Sequence, residues 1–152
     1  MTNPITIIKK DHRKVEALFK EYKGLGDTAF KTKQDIAMEI IGLLTVHAEM
    51  EEVIFYPRLE EVFNKEGDKI VEEGIAEHGV AKTLMFEIER LSPEDPQFEA
   101  KMEVLRESVS HHVKEEEEEM LPKAEKEVNE DDMNELGEKM LAFKKEKGMD
   151  TE

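Results

Sequence analysis

Histidine and glutamate occur in this sequence at a spacing that suits metal binding. His47 and Glu51 are four residues apart, and so are His112 and Glu116. Residues four apart on an α-helix lie on one face, so each pair can direct an imidazole and a carboxylate toward the same point. Mixed nitrogen and oxygen ligands suit iron, manganese or zinc, whereas calcium and magnesium prefer mostly oxygen.

A repeat adds two more histidines to this set. Residues 47–57 and 112–122 carry His, Glu and Pro in the same order at an offset of 65 residues. Asp11-His12 recurs as Glu77-His78 at an offset of 66. The repeat predicts two helix pairs related by pseudo-twofold symmetry, each with one histidine on its first helix and a His-x-x-x-Glu pair on its second.

Apolar neighbours at helical spacing place these side chains in a core. Leu44 and Ile54 flank the first His-x-x-x-Glu pair, and Ile8 and Val15 share a stripe with His12. Buried carboxylates are costly unless a charge or a metal compensates them. We therefore predict two metal ions bridged by two carboxylates. The predicted ligands are His12, His47, Glu51, His78, His112 and Glu116.

Four long helices are expected to position these ligands. Apolar periodicity and capping signals predict helices near residues 4–24, 32–63, 70–91 and 98–121. Pro57 is expected to kink the second helix or to end its first half. The predicted stripe of the third helix comprises Ile70, Ile75, Met85, Ile88 and Leu91. The predicted fold is all-α: an up-down antiparallel four-helix bundle over residues 1–128, then a short amphipathic C-terminal helix and tail over residues 129–152.

Composition excludes several classes of function. The net charge of −16 opposes binding to nucleic acids and to anionic membranes. No cysteine is present, so disulfides, thiolate metal sites and cysteine nucleophiles are excluded. No apolar stretch approaches the length of about 20 residues that a membrane span needs, and the first residues do not resemble a signal peptide. A cytoplasmic protein without membrane partners is expected.

These residues resemble the pattern of the hemerythrin family, specifically the bacterial hemerythrin HHE cation-binding group. The resemblance covers roughly residues 5–125 and includes Pro57 and Pro122, each ten residues after a histidine. It implies a hemerythrin-like bundle with two non-heme irons, oxo- or hydroxo-bridged, with Glu51 and Glu116 as bridging carboxylates. Ferritin-like carboxylate proteins instead use Glu-x-x-His, with the opposite order and a spacing of three.

One departure from that family concerns a fifth histidine. Oxygen-carrying hemerythrins have His-x-x-x-His on the third helix, whereas here His78 has Gly74 before it and Lys82 after it. A water, Tyr22, Tyr56 or an additional glutamate is a candidate for the vacant position. His111 is adjacent to His112 and points about 100° away from it, so it receives no role. Residues 115–119 are expected to form a solvated acidic face apart from Glu116.

The resemblance and the departure together suggest the function. We expect binding of, or reaction with, dioxygen, peroxide or nitric oxide, with peroxide disproportionation and oxidase chemistry as the candidate activities. The alternative is a non-catalytic iron-binding or iron-sensing module that metal stabilises. A third interpretation is a scaffold bundle without stoichiometric metal. The expected partner is a small diatomic or peroxide ligand, a protein partner is left open, and the chain is expected to be a monomer or a weak homo-oligomer.

Overall fold

The computed structural model describes residues 2–149 and 151. All of their regular structure is helical, and no strand occurs among these residues. Two π-helical turns interrupt the long helices: the first joins α2 to α3 and the second joins α5 to α6. The four-helix bundle with an extra C-terminal helix is thus confirmed. The elements are α1 (Pro4–Lys23), α2 (Phe30–Met50), the first π-helical turn (Glu51–Phe55), α3 (Tyr56–Val62), α4 (Lys65–Glu89), α5 (Pro96–Glu115), the second π-helical turn (Glu116–Met120), α6 (Leu121–Glu127) and α7 (Glu130–Glu146).

Side-chain caps set where several helices begin. Asn3 accepts a hydrogen bond from the backbone N–H of Ile5 at 2.8 Å, and Asp95 and Asn129 cap α5 and α7 in the same way. Asn64 accepts from the N–H of Gly67 at 3.0 Å, so α4 begins at Lys65. The sequence prediction began this helix several residues later, because it took Gly67 as a helix boundary.

The irregularity expected at Pro57 lies just before that residue. Proline lacks an N–H and clashes with the carbonyl four residues earlier, which a regular α-helix cannot accommodate. In the structure the wide first π-helical turn precedes Pro57, and the helix then continues to Val62. The second π-helical turn precedes Pro122 in the same way. Such wide turns occur frequently at functional sites, and both begin at a predicted ligand, Glu51 or Glu116.

Two apolar clusters form the core, one on each side of the predicted ligands. The first includes Ile8, Met50, Phe55, Leu59, Met120 and Met140. The second includes Val15, Ile40, Ile88, Phe98, Met102 and Leu105. The prediction that Ile75 belongs to this core was wrong, because its side chain is 36% exposed. The preceding residue, Gly74, is buried instead. Successive residues of an α-helix point about 100° apart, so Gly74 and Ile75 do not face the same side.

The C-terminal helix α7 packs on the bundle. It contacts α1, α2 and the first π-helical turn. Met133, Leu136 and Met140 of α7 are buried in the first apolar cluster together with Ile7 of α1. Met1, Asp150 and Glu152, which fall within the two predicted regions 1–128 and 129–152, lie outside the described residues. Within the described part of the chain, no helix is both long enough and apolar enough to cross a membrane.

Candidate metal centre

The structure brings all six predicted ligands together in the middle of the bundle. Each of the four long helices contributes one histidine, and the two glutamates begin the two π-helical turns. The ring nitrogens of the histidines lie close to the carboxylate oxygens of the glutamates. Oε1 of Glu116 lies 3.0 Å from Nε2 of His12, and Oε1 of Glu51 lies 3.4 Å from Nε2 of His47 and 3.2 Å from Nε2 of His78.

The six side chains form two overlapping groups, each with ligand atoms within 4.8 Å of one another. The first group, here called the first half-site, comprises His12, His47, Glu51 and Glu116. The second group, the second half-site, comprises Glu51, His78 and His112. Glu51 is therefore shared, as a bridging carboxylate would be. Nε2 of His112 also lies 3.5 Å from Oε2 of Glu116, so the second glutamate contacts both groups.

Several buried polar atoms in this cluster form no hydrogen bond, although two of them, Nε2 of His12 and Oε1 of Glu116, lie close to each other. They are Nε2 of His12, Nε2 of His47, Oε2 of Glu51 and Oε1 of Glu116. Buried polar atoms are nearly always paired, and leaving one without a partner costs about 1–3 kcal/mol. A cation placed between these atoms would satisfy all of them. The donor set and its geometry therefore fit a metal centre.

A second layer of carboxylates holds the outer nitrogen of each histidine. Nδ1 of each ring lies 2.6–2.8 Å from a carboxylate oxygen. A carboxylate that accepts from Nδ1–H fixes the tautomer and leaves Nε2 free to face a metal. The four pairs are His12 with Glu117, His47 with Asp11, His78 with Glu52 and His112 with Glu77.

Sequence reasoning missed these four orienting carboxylates, although the repeat contained the signal. Asp11 and Glu77 each precede a repeated histidine, and Glu52 and Glu117 each follow a repeated glutamate. The prediction that residues 115–119 form a solvated face apart from Glu116 was wrong at Glu117. That side chain is partly buried, with 20% exposed, because it turns inward to His12.

Of the two tyrosines considered for the vacant position, Tyr56 lies against the two inner glutamates. Its hydroxyl donates to Oε2 of Glu116, and Oε1 of Glu51 lies 3.2 Å from the same hydroxyl. A Cβ atom added at Gly74 would lie only 3.3 Å from this hydroxyl, so the glycine leaves room for the phenol. Tyr22, the other tyrosine considered, packs instead in the second apolar cluster. His111 lies at the surface, with 63% of its side chain exposed.

Comparison with known proteins agrees with this arrangement. The family model described as hemerythrin HHE cation binding domain matches residues 3–124, most of the chain. The chain belongs to the hemerythrin HHE cation-binding domain family. This HHE chain superimposes with a TM-score of 0.81 on the crystal structure of a hemerythrin HHE cation binding domain-containing protein from Mycobacterium kansasii, at 23% identity, covering 97% of this chain and 89% of the other.

Two curated proteins resemble this HHE chain over most of its length. An uncharacterized hemerythrin-like protein of Schizosaccharomyces pombe is 28% identical over 134 residues, which are 87% of this chain. A DNA nickase of Nostoc sp. is 35% identical over 111 residues, which are 73% of this chain. The HHE chain spans 64% of the first relative and 30% of the second.

The charges of the HHE centre shift the pKa values of its own ligands. Burial alone would lower the pKa of His112, but hydrogen bonding to Glu116 and the charges of both bridging-position glutamates outweigh it and raise the pKa to about 9. The pKa of His47 is also raised well above its usual value, since Glu51 and Asp11 outweigh burial. Burial and the two glutamate charges raise the pKa of Tyr56, so its hydroxyl keeps the proton that it donates. Protons and metal ions therefore compete for these imidazoles.

An apolar cavity adjoins the imidazoles of all four histidines. Its volume, as the space open to a water-sized molecule, is about 40 Å³. Tyr56, Glu51 and Glu116 do not line it. The cavity therefore meets the inner ligands at their imidazoles, and the orienting carboxylates Asp11 and Glu77 also border it. The apolar residues of its wall include Val15, Leu43, Ala81, Met85, Val109 and Val113.

Proposed function

We propose that this HHE domain binds two non-heme iron ions and reacts with dioxygen, peroxide or nitric oxide. The observation that carries the proposal is the convergence of four imidazoles and two carboxylates whose inward-facing atoms include four without hydrogen-bond partners. The terminal ligands are His12, His47, His78 and His112, and the bridges are Glu51 and Glu116. Manganese and zinc accept similar donors, and the hemerythrin resemblance favours iron among the three.

The residues around the ligands have separate roles in this proposal. The orienting carboxylates hold each histidine with Nε2 directed inward. Tyr56 donates its one hydroxyl proton to Glu116, lies within 3.2 Å of Glu51, and retains its proton near neutral pH. The apolar cavity admits a small, weakly polar ligand to the histidine side of the centre and disfavours water. Bound iron would supply the redox chemistry and the coordination position for that ligand.

A second candidate function is iron-dependent stabilisation without turnover. Every long helix of the bundle carries at least one proposed ligand, so bound metal would link all four helices. A ligand that binds only the folded state stabilises it by mass action. An iron-sensing module could use this property, because a partner could distinguish the loaded bundle from the looser unloaded one.

The nicking activity named for the Nostoc relative is not part of the proposal. This chain spans 30% of that protein. Its net charge of −16 also opposes contact with DNA phosphates.

The test is the reactivity of the iron-loaded protein. Untagged protein is loaded anaerobically with Fe(II) and mixed separately with dioxygen, hydrogen peroxide and nitric oxide, while the absorption spectrum and any evolved dioxygen are recorded. We expect new absorption bands with at least one of the three. Glu51→Ala and Glu116→Ala should lose the response together with the iron, since each removes a bridge.

Glu118→Ala is the matched control, because Glu118 lies in the second π-helical turn but is exposed. It should keep both iron and response. A wild-type protein that holds iron but responds to none of the three ligands would contradict the reactivity. In that case an iron-dependent rise in melting temperature would favour the second candidate function.

A further inference from the structure

A buried lysine connects the C-terminal helix to one histidine of the metal centre. Nζ of Lys144, on α7, forms an ion pair with Oδ1 of Asp11. The other carboxylate oxygen of Asp11 lies 2.7 Å from Nδ1 of His47. Lys144 is 4% exposed and Asp11 is 3% exposed. The path from α7 to a proposed ligand therefore consists of two direct contacts in the interior.

The other three orienting carboxylates have exposed basic side chains beside them. Each of these side chains is more than half exposed to solvent. The contacts are Arg13 with Glu117, Lys82 with Glu52 at 3.9 Å, and His111 with Glu77 at 3.4 Å. Among the described residues, Asp11 is thus the orienting carboxylate whose cation is buried. Its counterpart in the repeat, Glu77, has the exposed His111.

Because the ion pair of Asp11 with Lys144 is buried, its loss is expected to cost more free energy than the loss of the exposed contacts of the other three carboxylates. Exposed ion pairs contribute little, because water screens them. A buried pair is different, since removing one partner leaves an uncompensated charge in a medium of low dielectric constant. Without Lys144, the carboxylate of Asp11 would be drawn toward other donors or toward water. Its hydrogen bond to His47 would then no longer have a fixed direction.

We propose that Lys144 is a positioning residue for His47, so that the docking of α7 sets how tightly the first half-site holds its metal. This inference rests on the metal binding of the proposed function. It also makes the two half-sites unequal. The first has a buried lysine beside one of its orienting carboxylates, whereas the basic side chains beside the orienting carboxylates of the second, Lys82 and His111, are exposed. Metal therefore loads in two steps of different affinity, with the first half-site filled first.

The experiment measures Fe(II) affinity in anaerobic competition with a chromogenic chelator. Lys144→Met removes the charge and retains most of the side-chain length. Loss of a residue that orients a metal ligand typically costs roughly 10–100-fold in affinity. We expect two affinities for the wild type, with the tighter one weakened by roughly 10–100-fold in Lys144→Met and the weaker one changed by less than about threefold. Lys144→Arg should restore most of the loss.

The matched control is Lys147→Met on the same helix. Nζ of Lys147 lies 3.7 Å from Glu49 and its side chain is 41% exposed, so this variant should leave both affinities unchanged. Melting temperatures of the metal-free proteins are measured in parallel. A purely structural role for Lys144 would lower the melting temperature of the metal-free protein without changing either affinity, and that result would overturn the inference.

Other outcomes are decisive as well. Equal weakening of both affinities would contradict the assignment to the first half-site. If Lys144→Met does not fold, Lys144→Gln, which keeps a donor toward Asp11 without a charge, is measured with the same expectation. Wild-type protein that binds no Fe(II) would refute the proposed function itself, whereas iron binding unaffected at Lys144 would refute this inference alone.

Discussion

Histidines in this centre are surrounded by more negative charge than their own rings can balance. Two inner carboxylates and four orienting carboxylates contact four imidazoles. Without a cation between them, protons on the imidazoles supply the balancing charge, which is why the pKa of His112 rises to about 9. A metal would replace those protons. The stability of the metal-free protein should therefore depend on pH in a way that the metal-loaded protein does not share.

The first prediction is that raising the pH destabilises the metal-free protein. The pKa of His112 is about 9 when folded and near 6.5 when unfolded, so its contribution is complete below about pH 6.5 and is lost as the pH rises through about 9. The shift corresponds to at most about 3 kcal/mol. Melting temperatures recorded by circular dichroism from pH 6 to 10 should fall by several degrees. His47 acts in the same direction.

Two controls belong to this measurement. Iron-loaded protein should show a weaker decline, because metal rather than a proton would occupy Nε2 of His112. His112→Gln should lose part of the decline in the metal-free form. A melting temperature that stays constant or rises between pH 6.5 and 9 in the metal-free wild type would contradict the charge balance described above.

The six inner residues could be predicted because their spacing is local and repeated. Their partners could not be predicted in the same way. His12 and Glu117 are 105 residues apart in sequence, and the contact depends on how two helices face each other. The sequence also did not decide which group lies where the fifth histidine is missing, since four candidates fitted it. Gly74 leaves room for the hydroxyl of Tyr56 beside the glutamates, which depends on helix packing and cannot be read from spacing.

At the scale of elements, α7 depends on close contact with the chain's first residues. A Cβ atom added at Gly137 would overlap the backbone carbonyl group of Thr2. A backbone atom cannot move aside as the end of a flexible side chain can. Gly137 thus permits α7 to lie close enough to α1 for Lys144 to reach Asp11.

Gly137→Ala is therefore expected to destabilise the protein, by about 1–3 kcal/mol as is typical of overpacking. Gly79→Ala is the matched comparison, because Gly79 lies inside α4 with no atom within 4 Å of an added Cβ. It should stabilise by roughly 0.5–1 kcal/mol, since alanine loses less backbone entropy in a helix. Urea unfolding measures both changes. Stabilisation by both substitutions would show that α7 does not approach Thr2 as described.

Sequence patterns predicted which segments are helical better than they predicted the π-helical turns and which residues face inward. Apolar periodicity placed all four long helices, and the structure shows Asn3 and Asp95 capping the starts of α1 and α5. The π-helical turns were not predicted, because an extra residue in one turn leaves no distinct pattern beyond the proline that follows. The prediction for Ile75 was wrong because apolar character alone did not show that Gly74 faces inward at that turn.

At the scale of the whole molecule, the metal centre lies between two apolar clusters and contacts all four long helices. The family model ends at residue 124, before α7 begins at Glu130. The structural likeness to the Mycobacterium kansasii protein covers 97% of the chain and therefore includes α7. In this protein α7 contributes a buried lysine to the surroundings of the candidate centre.

The most direct test of the account is the number of metal ions bound to each chain. Untagged protein purified without chelators, or reconstituted anaerobically with Fe(II), is examined by elemental analysis against its measured protein concentration. We expect about two irons per chain, as for paired metal sites in helical bundles, and their loss in Glu51→Ala and Glu116→Ala. No stoichiometric metal after reconstitution, or unchanged metal content in both variants, would contradict it.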